Sequence, residues 1–126
     1  MTNKHLRLID ANLNRLREGI RVVEDIFRYI HNDKNISSKL KNLRHKVRID
    51  SLDDLLQSRD ITNDVLKQST SSEQSRLDLN SILIANFKRA QESSRVLEEF
   101  CKLDSIENSE NFKNIRYELY NLEKAL

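Results

Sequence analysis

A stretch of 17 residues occurs twice in this chain, and its two copies lie 74 positions apart. The first copy, residues 10–26, reads DANLNRLREGIRVVEDI, and the second, residues 84–100, reads IANFKRAQESSRVLEEF. Seven positions are identical, and five of the seven carry polar side chains. The identical pairs are Ala11/Ala85, Asn12/Asn86, Arg15/Arg89, Glu18/Glu92, Arg21/Arg95, Val22/Val96 and Glu24/Glu98. Such a duplication predicts a fold made of two similar halves.

Both copies place apolar residues at steps of three and four, which is the period of an amphipathic α-helix. The pattern predicts helices over residues 4–31, 37–56, 73–103 and 109–125. The second and fourth also correspond, because KNLRHKV at 41–47 matches KNIRYEL at 113–119. Thr70 with Glu73, or Ser71 with Gln74, offers a capping box before the third helix. We therefore predict an all-α bundle of four main helices, built from two long-helix/short-helix pairs.

The whole chain, residues 1–126, is expected to form one helical domain. Its pseudo-repeats, about 5–56 and 73–126, are joined by a polar loop over 58–72, and halves of this kind commonly pack about a pseudo-two-fold axis. The chain has one glycine, Gly19, and no proline. Tight sheet hairpins and glycine-rich phosphate loops need positive φ angles, which glycine adopts cheaply. A β-sandwich, a Rossmann sheet and a Walker-type loop are therefore disfavoured.

Charge and cysteine content indicate which partners and which cellular compartment are expected. The 22 basic and 20 acidic residues are interspersed and leave a net charge of +2. A nucleic-acid tail or a polybasic membrane patch concentrates one sign of charge, so neither partner is expected. The single cysteine, Cys101, cannot form an internal disulfide, and no apolar run is long enough for a signal peptide or a membrane span. We expect a cytoplasmic protein.

A helical wheel separates the repeated polar residues into two groups. Asn12 and Arg15 fall within the apolar stripe of the first helix, and Asn86 and Arg89 do so in the third. Glu18 falls at the edge of the stripe. Buried amides and guanidinium groups are costly without partners. One interpretation is an internal network, with Arg15 bound to Glu18, Arg89 to Glu92, and the two asparagines bonding across the axis. The other is a polar cavity that binds an anionic ligand through these groups and Lys88.

Two further sets of charged residues leave alternatives open. The wheel places one set on the polar side of the first helix, where it forms either a salt-bridged solvent face or a subunit contact. In the loop, Asp60 and Asp64 are either Mg²⁺ ligands or residues that stabilise turns. No zinc-protease, paired-cysteine, nucleophile-elbow or nucleotide-loop motif is present. The outer set comprises Arg17, Arg21, Glu24, Asp25 and Arg28.

Five ordered blocks of sequence resemble a known family. They are IDANLNRLREGIRVVEDIFRYI, LKNLRHKV, SRDITNDV, IANFKRAQESSRVLEEFCKL and IRYELYNLEKAL. Together they resemble the small helical, non-ribokinase type of hydroxymethylpyrimidine phosphate kinase, over residues 7–126. Domains of this type occur alone or fused ahead of thiamine phosphate synthase. Leu66 stands where the resemblance leads us to expect a glycine.

The resemblance implies that the chain phosphorylates 4-amino-5-hydroxymethyl-2-methylpyrimidine phosphate to the diphosphate with ATP, in thiamine biosynthesis. It implies ATP and Mg²⁺ as cofactors, the pyrimidine phosphate as small-molecule substrate, and a functional link to thiamine phosphate synthase. Phosphoryl transfer depends on positioning, a metal ion and cations, which suits these residue types. On this basis we assign phosphate-binding catalytic roles to Arg15, Arg89 and Lys88, substrate contacts to Asn12, Asn86, Glu18, Glu92, Arg44 and Arg116, nucleotide binding to Arg59, and Mg²⁺ binding to Asp60 and Asp64.

Two alternatives to the kinase remain at this stage. The first is a non-catalytic helical domain that binds the ligand or assembles with a thiamine-synthesis enzyme. The second is a helical nucleic-acid binder, which the near-neutral charge disfavours. A homodimer is also an expectation, because a four-helix domain with so few aromatic residues has a modest core.

Overall fold

The computed structural model describes residues 1–50 and 54–126, and within these ranges the regular structure is helical throughout, with no strand. Four long helices form a bundle, so the all-α prediction is confirmed. In chain order the elements are α1 (Asn3–Asp25), a π-helical turn (Ile26–Ile30), α2 (Lys34–His45), the short α3 (Leu55–Ser58) and α4 (Ser71–Gln74), α5 (Leu79–Cys101) and α6 (Ile106–Glu123).

Side-chain caps determine where most of the helices begin. The predicted capping box is confirmed at α4, where the Thr70 hydroxyl and the Glu73 carboxylate each accept from the other residue's backbone N–H. That helix ends at Gln74, however, and α5 begins separately because the Asp78 carboxylate accepts from the backbone N–H of Ser81 at 2.8 Å. The third predicted helix, 73–103, is therefore two helices.

The connection between α1 and α2 lies between the first two predicted helices, although α2 begins three residues earlier than predicted, at Lys34. The π-helical turn ends before His31, and Asn32 adopts a left-handed conformation with φ 52°. Asparagine tolerates this conformation better than most residues. Asp33 then caps α2 by accepting from the backbone N–H of Ile36 at 3.0 Å. The chain reverses direction here without a glycine.

The second helix is shorter than predicted. It ends at His45, and residues 46–50 are not helical although the apolar pattern continues, whereas Leu55 and Leu56 belong to the separate α3. Val47 and Ile49 are buried in non-helical chain, and the Val47 carbonyl accepts from Arg17 Nε at 2.9 Å. A carbonyl bound by a side chain of another helix satisfies its hydrogen bond without an added helical turn. The remaining part of the prediction at residues 51–53, including Leu52, lies outside the described residues.

The two long helices form the centre of the bundle. Each packs on the shorter helix that follows it, α1 on α2 and α5 on α6, and the two long helices pack extensively on each other. Their close approach depends on Gly19, where an added Cβ atom would lie 3.1 Å from the backbone oxygen of Asn86 and 3.3 Å from Ala90 Cβ. Within the described ranges, none of the helices has the length and apolarity needed to cross a membrane.

Candidate functional site

Two adjoining clefts lie between α1, α5 and the loop that connects the halves. The first cleft, of about 700 Å³, runs along α1 and the start of the loop. The second, of about 580 Å³, lies between the end of the loop and α5. Arg15, Asp64 and Lys67 line both clefts. The side chains of both repeated helices therefore meet at one composite site, with the loop as its third wall.

Arg15 and Arg89, equivalent positions of the repeat, both line the second cleft. The wheel placed them in the apolar stripe, and this was wrong, because both residues are exposed. Among the described residues, neither guanidinium forms a hydrogen bond or an ion pair, so the predicted pairs with Glu18 and Glu92 are not formed. Long side chains at the edge of a stripe extend their charged ends into solvent. Both cations therefore line one cleft without a partner in the part of the chain that the structure describes.

The repeated asparagines make the same bond in each half. Asn12 Nδ2 donates to the Leu8 carbonyl at 2.9 Å, and Asn86 Nδ2 donates to the Ile82 carbonyl at 2.9 Å. Each bond stays within its own helix, so the predicted bonds across the axis are not formed. Asn12 is buried and lines the first cleft, whereas Asn86 is half-buried and lines the second. Their amide oxygens accept no hydrogen bond within the described ranges and are available to a ligand.

Lys88 and Glu92 line the second cleft, as expected for site residues, but Glu18 does not. Lys88 Nζ lies 2.8 Å from Glu123 Oε1 on α6, which ties this cation to the rim of the cleft. Glu18 instead borders a separate arginine-rich hollow between α1 and the end of α2. The structure therefore brings Lys88 and Glu92 to the composite site and leaves Glu18 outside it.

Glu24, which the wheel placed on the polar side, is buried, so that prediction was wrong, and the equivalent Glu98 is buried as well. Glu24 Oε1 accepts from Arg44 Nε at 2.7 Å, and Glu98 Oε1 accepts from Arg116 Nη2 at 2.8 Å. These bonds raise the pKa of both guanidinium groups. A helix that packs on two neighbours buries more than one face. Arg44 and Arg116, predicted to contact substrate, lie at these helix interfaces and not in the two clefts.

The loop carboxylates predicted to bind Mg²⁺ both line the first cleft. Asp60 accepts from the backbone N–H groups of Thr62 and Asn63, each at 3.0 Å, and from Asn63 Nδ2 at 2.7 Å. Hydrogen bonding by Asn63 holds the pKa of Asp60 below its ordinary value, so the carboxylate is ionised at neutral pH. Asp64 accepts from the backbone N–H of Leu66 at 3.0 Å. Both residues therefore stabilise turns and also present charge to the cleft.

Arg59 is held by Asp10, which was not among the predicted site residues. Its Nε and Nη2 donate to Asp10 Oδ2 and Oδ1 at 2.8 and 2.9 Å. Asp10 is 7% exposed and lines the first cleft. The available signal was a break in the repeat, because Ile84 occupies the equivalent position in the second copy. Arg59 also lines the first cleft, and its Nη1 donates no hydrogen bond within the described ranges.

The predicted metal site at Asp60 and Asp64 has few protein ligands, and the loop beside it has an ordinary backbone conformation. Among the residues that the structure describes, no group of three or more histidine, cysteine, aspartate or glutamate side chains is arranged to hold a metal ion. A metal at Asp60 and Asp64 would therefore need oxygen atoms from a ligand or water to complete its shell. Leu66, which stands in place of an expected glycine, does not have a positive φ. The backbone there adopts a conformation open to any residue.

A family model and several curated proteins match this chain. The model of the ThiD2 family matches residues 7–125. The chain is 41% identical over 121 residues to a thiamine-phosphate synthase of Thermosynechococcus vestitus, covering 95% of this chain and 34% of that protein. It is 40% identical over 121 residues to the same enzyme of Synechocystis, covering 95% and 35%, and 39% identical over 120 residues to that of Rhodopirellula baltica, covering 91% and 32%.

The chain thus spans about a third of the length of these curated relatives. No solved structure matches it. The match to the family model, by contrast, extends over almost the whole chain and includes both copies of the repeat as well as the loop between them. The chain therefore belongs to the ThiD2 family.

Proposed function

We propose that this domain serves thiamine biosynthesis as a phosphomethylpyrimidine kinase. It transfers the γ-phosphoryl group of ATP to the phosphate of 4-amino-5-hydroxymethyl-2-methylpyrimidine phosphate, and the products are the diphosphate and ADP. Three relatives named thiamine-phosphate synthase support the pathway. The matched region is only about a third of each of these proteins, so the activity proposed for this domain is distinct from the one that their name states. A functional link to thiamine phosphate synthase is part of this proposal.

The observation that carries the proposal is that Arg15 and Arg89, which have no hydrogen-bond or ion-pair partner among the described residues, line one cleft from two helices. Guanidinium groups bind phosphate oxygens with two parallel hydrogen bonds, and they remain charged at any working pH. A cleft with two such groups and Lys88 suits a ligand with several negative charges. In phosphoryl transfer, cations placed around the transferring group stabilise the charge that its equatorial oxygens carry.

The two clefts differ in the chemistry of their walls, and this suggests how the ligands are arranged. The first cleft includes an apolar wall formed by Leu8, Ala11, Ile61 and Val96, which suits a planar heterocycle. The second is lined almost entirely by polar and charged side chains, which suits phosphate groups. We therefore place the pyrimidine ring in the first cleft and the phosphates towards the second, with Arg15 at the boundary. The amide oxygen of Asn12 is available to accept from the ring's amino group.

Magnesium ion, when bound, would neutralise phosphate charge and hold the phosphate oxygens in place. The donor set fits it, because Asp60 and Asp64 supply hard carboxylate oxygens to the same cleft, and phosphate supplies more. Hydrogen bonds from the loop orient both carboxylates before any ligand arrives. The arrangement matches the way in which Mg²⁺ usually binds, through one or two carboxylates and a substrate phosphate.

Turnover is the first test of this proposal. The purified protein is incubated with the pyrimidine monophosphate, ATP and Mg²⁺, and the formation of diphosphate and ADP is followed by chromatography. We expect both products in equal amounts, and no ADP when the pyrimidine is omitted. Folded protein that binds the pyrimidine monophosphate without forming diphosphate would contradict the kinase.

A substitution tests the role of the paired arginines. Arg89→Ala should lower kcat/KM by about 100-fold, because the variant loses a cation that contacts the transferring group. Arg48→Ala is the matched control, since Arg48 is an exposed arginine that lines neither cleft. Its kinetics should equal those of the wild type. Equal kinetics for both variants would show that Arg89 does not contact the phosphates.

A second function is favoured by one observation. Asp60 already accepts three hydrogen bonds from its own loop, as turn-forming carboxylates do. A domain that binds the pyrimidine phosphate for a partner enzyme would use the cations of the clefts without needing metal chemistry. Calorimetric binding of the pyrimidine monophosphate that is independent of Mg²⁺, together with the absence of turnover, would support this alternative.

A further inference from the structure

Asp10 and Arg59 form an ion pair between residues 49 positions apart in the chain. The carboxylate of Asp10 is largely buried on α1, and both of its oxygens accept from the same guanidinium group, at 2.8 and 2.9 Å. The Arg59 side chain is 42% exposed. A two-point bond between a planar guanidinium and a fixed carboxylate restricts orientation as well as distance. It therefore determines how the chain leaves α3 and enters the loop.

This pair attaches to α1 the segment 59–69, which we call the site loop and which follows directly on α3, itself packed on α1. Of the hydrogen bonds and ion pairs that the described residues make with the site loop, it is the one that reaches the four-helix bundle. The other polar bonds of the loop lie within it or join it to the adjacent α3. Ile61, Val65 and Leu66 are 69%, 94% and 84% exposed, so the loop contributes little to the apolar core.

The site loop nevertheless supplies much of the composite site. Asp60, Ile61, Asp64 and Lys67 line the first cleft, and two of these residues also line the second. A segment with few apolar contacts and with solvent-exposed bonds opens at low free-energy cost. Its placement over the clefts therefore depends on the attachment at its first residue.

We propose that Asp10 is a positioning residue. By binding Arg59 it holds the site loop where Asp60, Asp64 and Lys67 meet the ligand, and it is not itself a ligand contact. The inference rests on the proposed function for its kinetic consequence, but the position of the loop can be measured without turnover. The second copy of the repeat has no counterpart of Asp10, because Ile84 occupies the equivalent position.

Hydrogen exchange of the complete chain tests the attachment directly. Asp10→Asn keeps the size of the side chain but removes its charge, and it should increase exchange at residues 60–68 several-fold while α5 and α6 exchange as in the wild type. Glu24→Gln is the matched control, because Glu24 is also a buried α1 carboxylate bound at two points by an arginine, but one that lies away from the loop. It should lower the melting temperature and leave exchange at residues 60–68 unchanged. Equal exchange at those residues in Asp10→Asn and the wild type would overturn the proposal.

A double-substitution cycle separates positioning from an independent contact. Arg59→Gln should increase exchange at residues 60–68 as much as Asp10→Asn does, and the double variant should show no further increase, because each substitution removes the same two-point ion pair. Additive increases would overturn the proposal, since they would show that the two side chains act separately.

Kinetics then connect the attachment to the reaction. In Asp10→Asn, the Mg²⁺ concentration that gives half the maximal rate should rise about tenfold, as is usual when a residue that orients metal ligands is lost. An unchanged Mg²⁺ requirement in a variant with a loosened loop would overturn the positioning role. If the wild-type protein forms no diphosphate, the proposed function fails, whereas the exchange measurements still decide whether Asp10 holds the loop.

Discussion

Glu24 Oε1 accepts from Arg44 Nε at 2.7 Å, and Glu24 is only 1% exposed. The same two residue types meet in the second half, where Glu98 binds Arg116 at 2.8 Å. Each pair joins a long helix to the shorter helix that follows it. This relationship explains why Glu24 and Glu98 are repeated, since the helix–helix interface within each half contains a buried charge pair. The two interfaces differ in one bond, because Glu98 also accepts from Arg95 at 2.9 Å.

Removing the buried carboxylate should destabilise the fold. Glu24→Ala leaves the Arg44 guanidinium without its partner at a helix interface, which should lower the free energy of unfolding by about 3 kcal/mol. Urea denaturation followed by circular dichroism measures this value. The control is Arg21→Ala, which breaks the exposed Arg21–Asp25 pair at 3.4 Å and should cost less than about 1 kcal/mol. Similar losses in the two variants would contradict a structural role specific to the buried pair.

Packing at Gly19 should tolerate no large side chain. Gly19→Leu would force α1 and α5 apart, because even a Cβ atom there lies 3.1 Å from the backbone oxygen of Asn86. We expect a loss of about 2–3 kcal/mol in unfolding free energy despite the better helix propensity of leucine. Ser38→Leu, at an exposed position of α2, should change stability by less than about 0.5 kcal/mol. A Gly19→Leu variant as stable as the wild type would show that the helices can separate freely.

The thiol of Cys101 should be unreactive in the folded protein. Burial raises its pKa to about 11, so the reactive thiolate is scarce at neutral pH. A disulfide reagent at pH 8 should modify this thiol only after denaturant is added. Because an unfolded thiol ionises near pH 9.0, the unfolded state loses a proton that the folded state retains. Stability should therefore fall between pH 9 and 11, and Cys101→Ala should show a smaller fall. Rapid modification of the native protein would contradict this burial.

The turn around Asp60 should lose stability as the pH falls, whereas the Cys101 thiol lowers stability as the pH rises. Hydrogen bonds from Asn63 lower the pKa of Asp60 below 3.8, so the turn is stabilised above that value and weakens as the pH falls through the folded pKa. An NMR titration of the Asp60 carboxyl carbon measures the shift. Asn63→Ala should raise this pKa, whereas Asn35→Ala, on the surface of α2, should not change it. An Asp60 pKa that is unaffected by Asn63→Ala would show that the side-chain bond is not formed in solution.

Periodicity predicted the helices well but not which polar residues are buried. A single apolar stripe was assumed for α1, and Asn12, in its middle, is indeed buried. Glu24 lies outside that stripe and is buried as well, because α2 covers a second face of the same helix. Local sequence does not show which neighbour covers a helix. The nearly constant spacing between Glu24 and Arg44, and between Glu98 and Arg116, was the available signal for these pairs.

Part of the composite site was predictable, because the repeat and the basic character of its residues selected side chains that line the clefts. Arg15, Arg89 and Lys88 were selected as repeated or basic residues, and they do line the clefts. Their orientation was mistaken, since long side chains extend away from the backbone position that a wheel records. Asp10 was missed because its partner is 49 positions away and lies in a loop without periodicity.

Arg15 and Arg89 occupy equivalent positions of the repeat and line the same cleft. An anion between them meets the same chemical group from both helices, so these two residues cannot distinguish a donor phosphate from an acceptor phosphate. The distinction depends on positions at which the two copies differ. Asn14 is replaced by Lys88, and Asp10 by Ile84, at equivalent places in the repeat. In the proposed kinase, substitutions that make these positions alike should remove the difference between the end of the cleft that donates a phosphoryl group and the end that receives it.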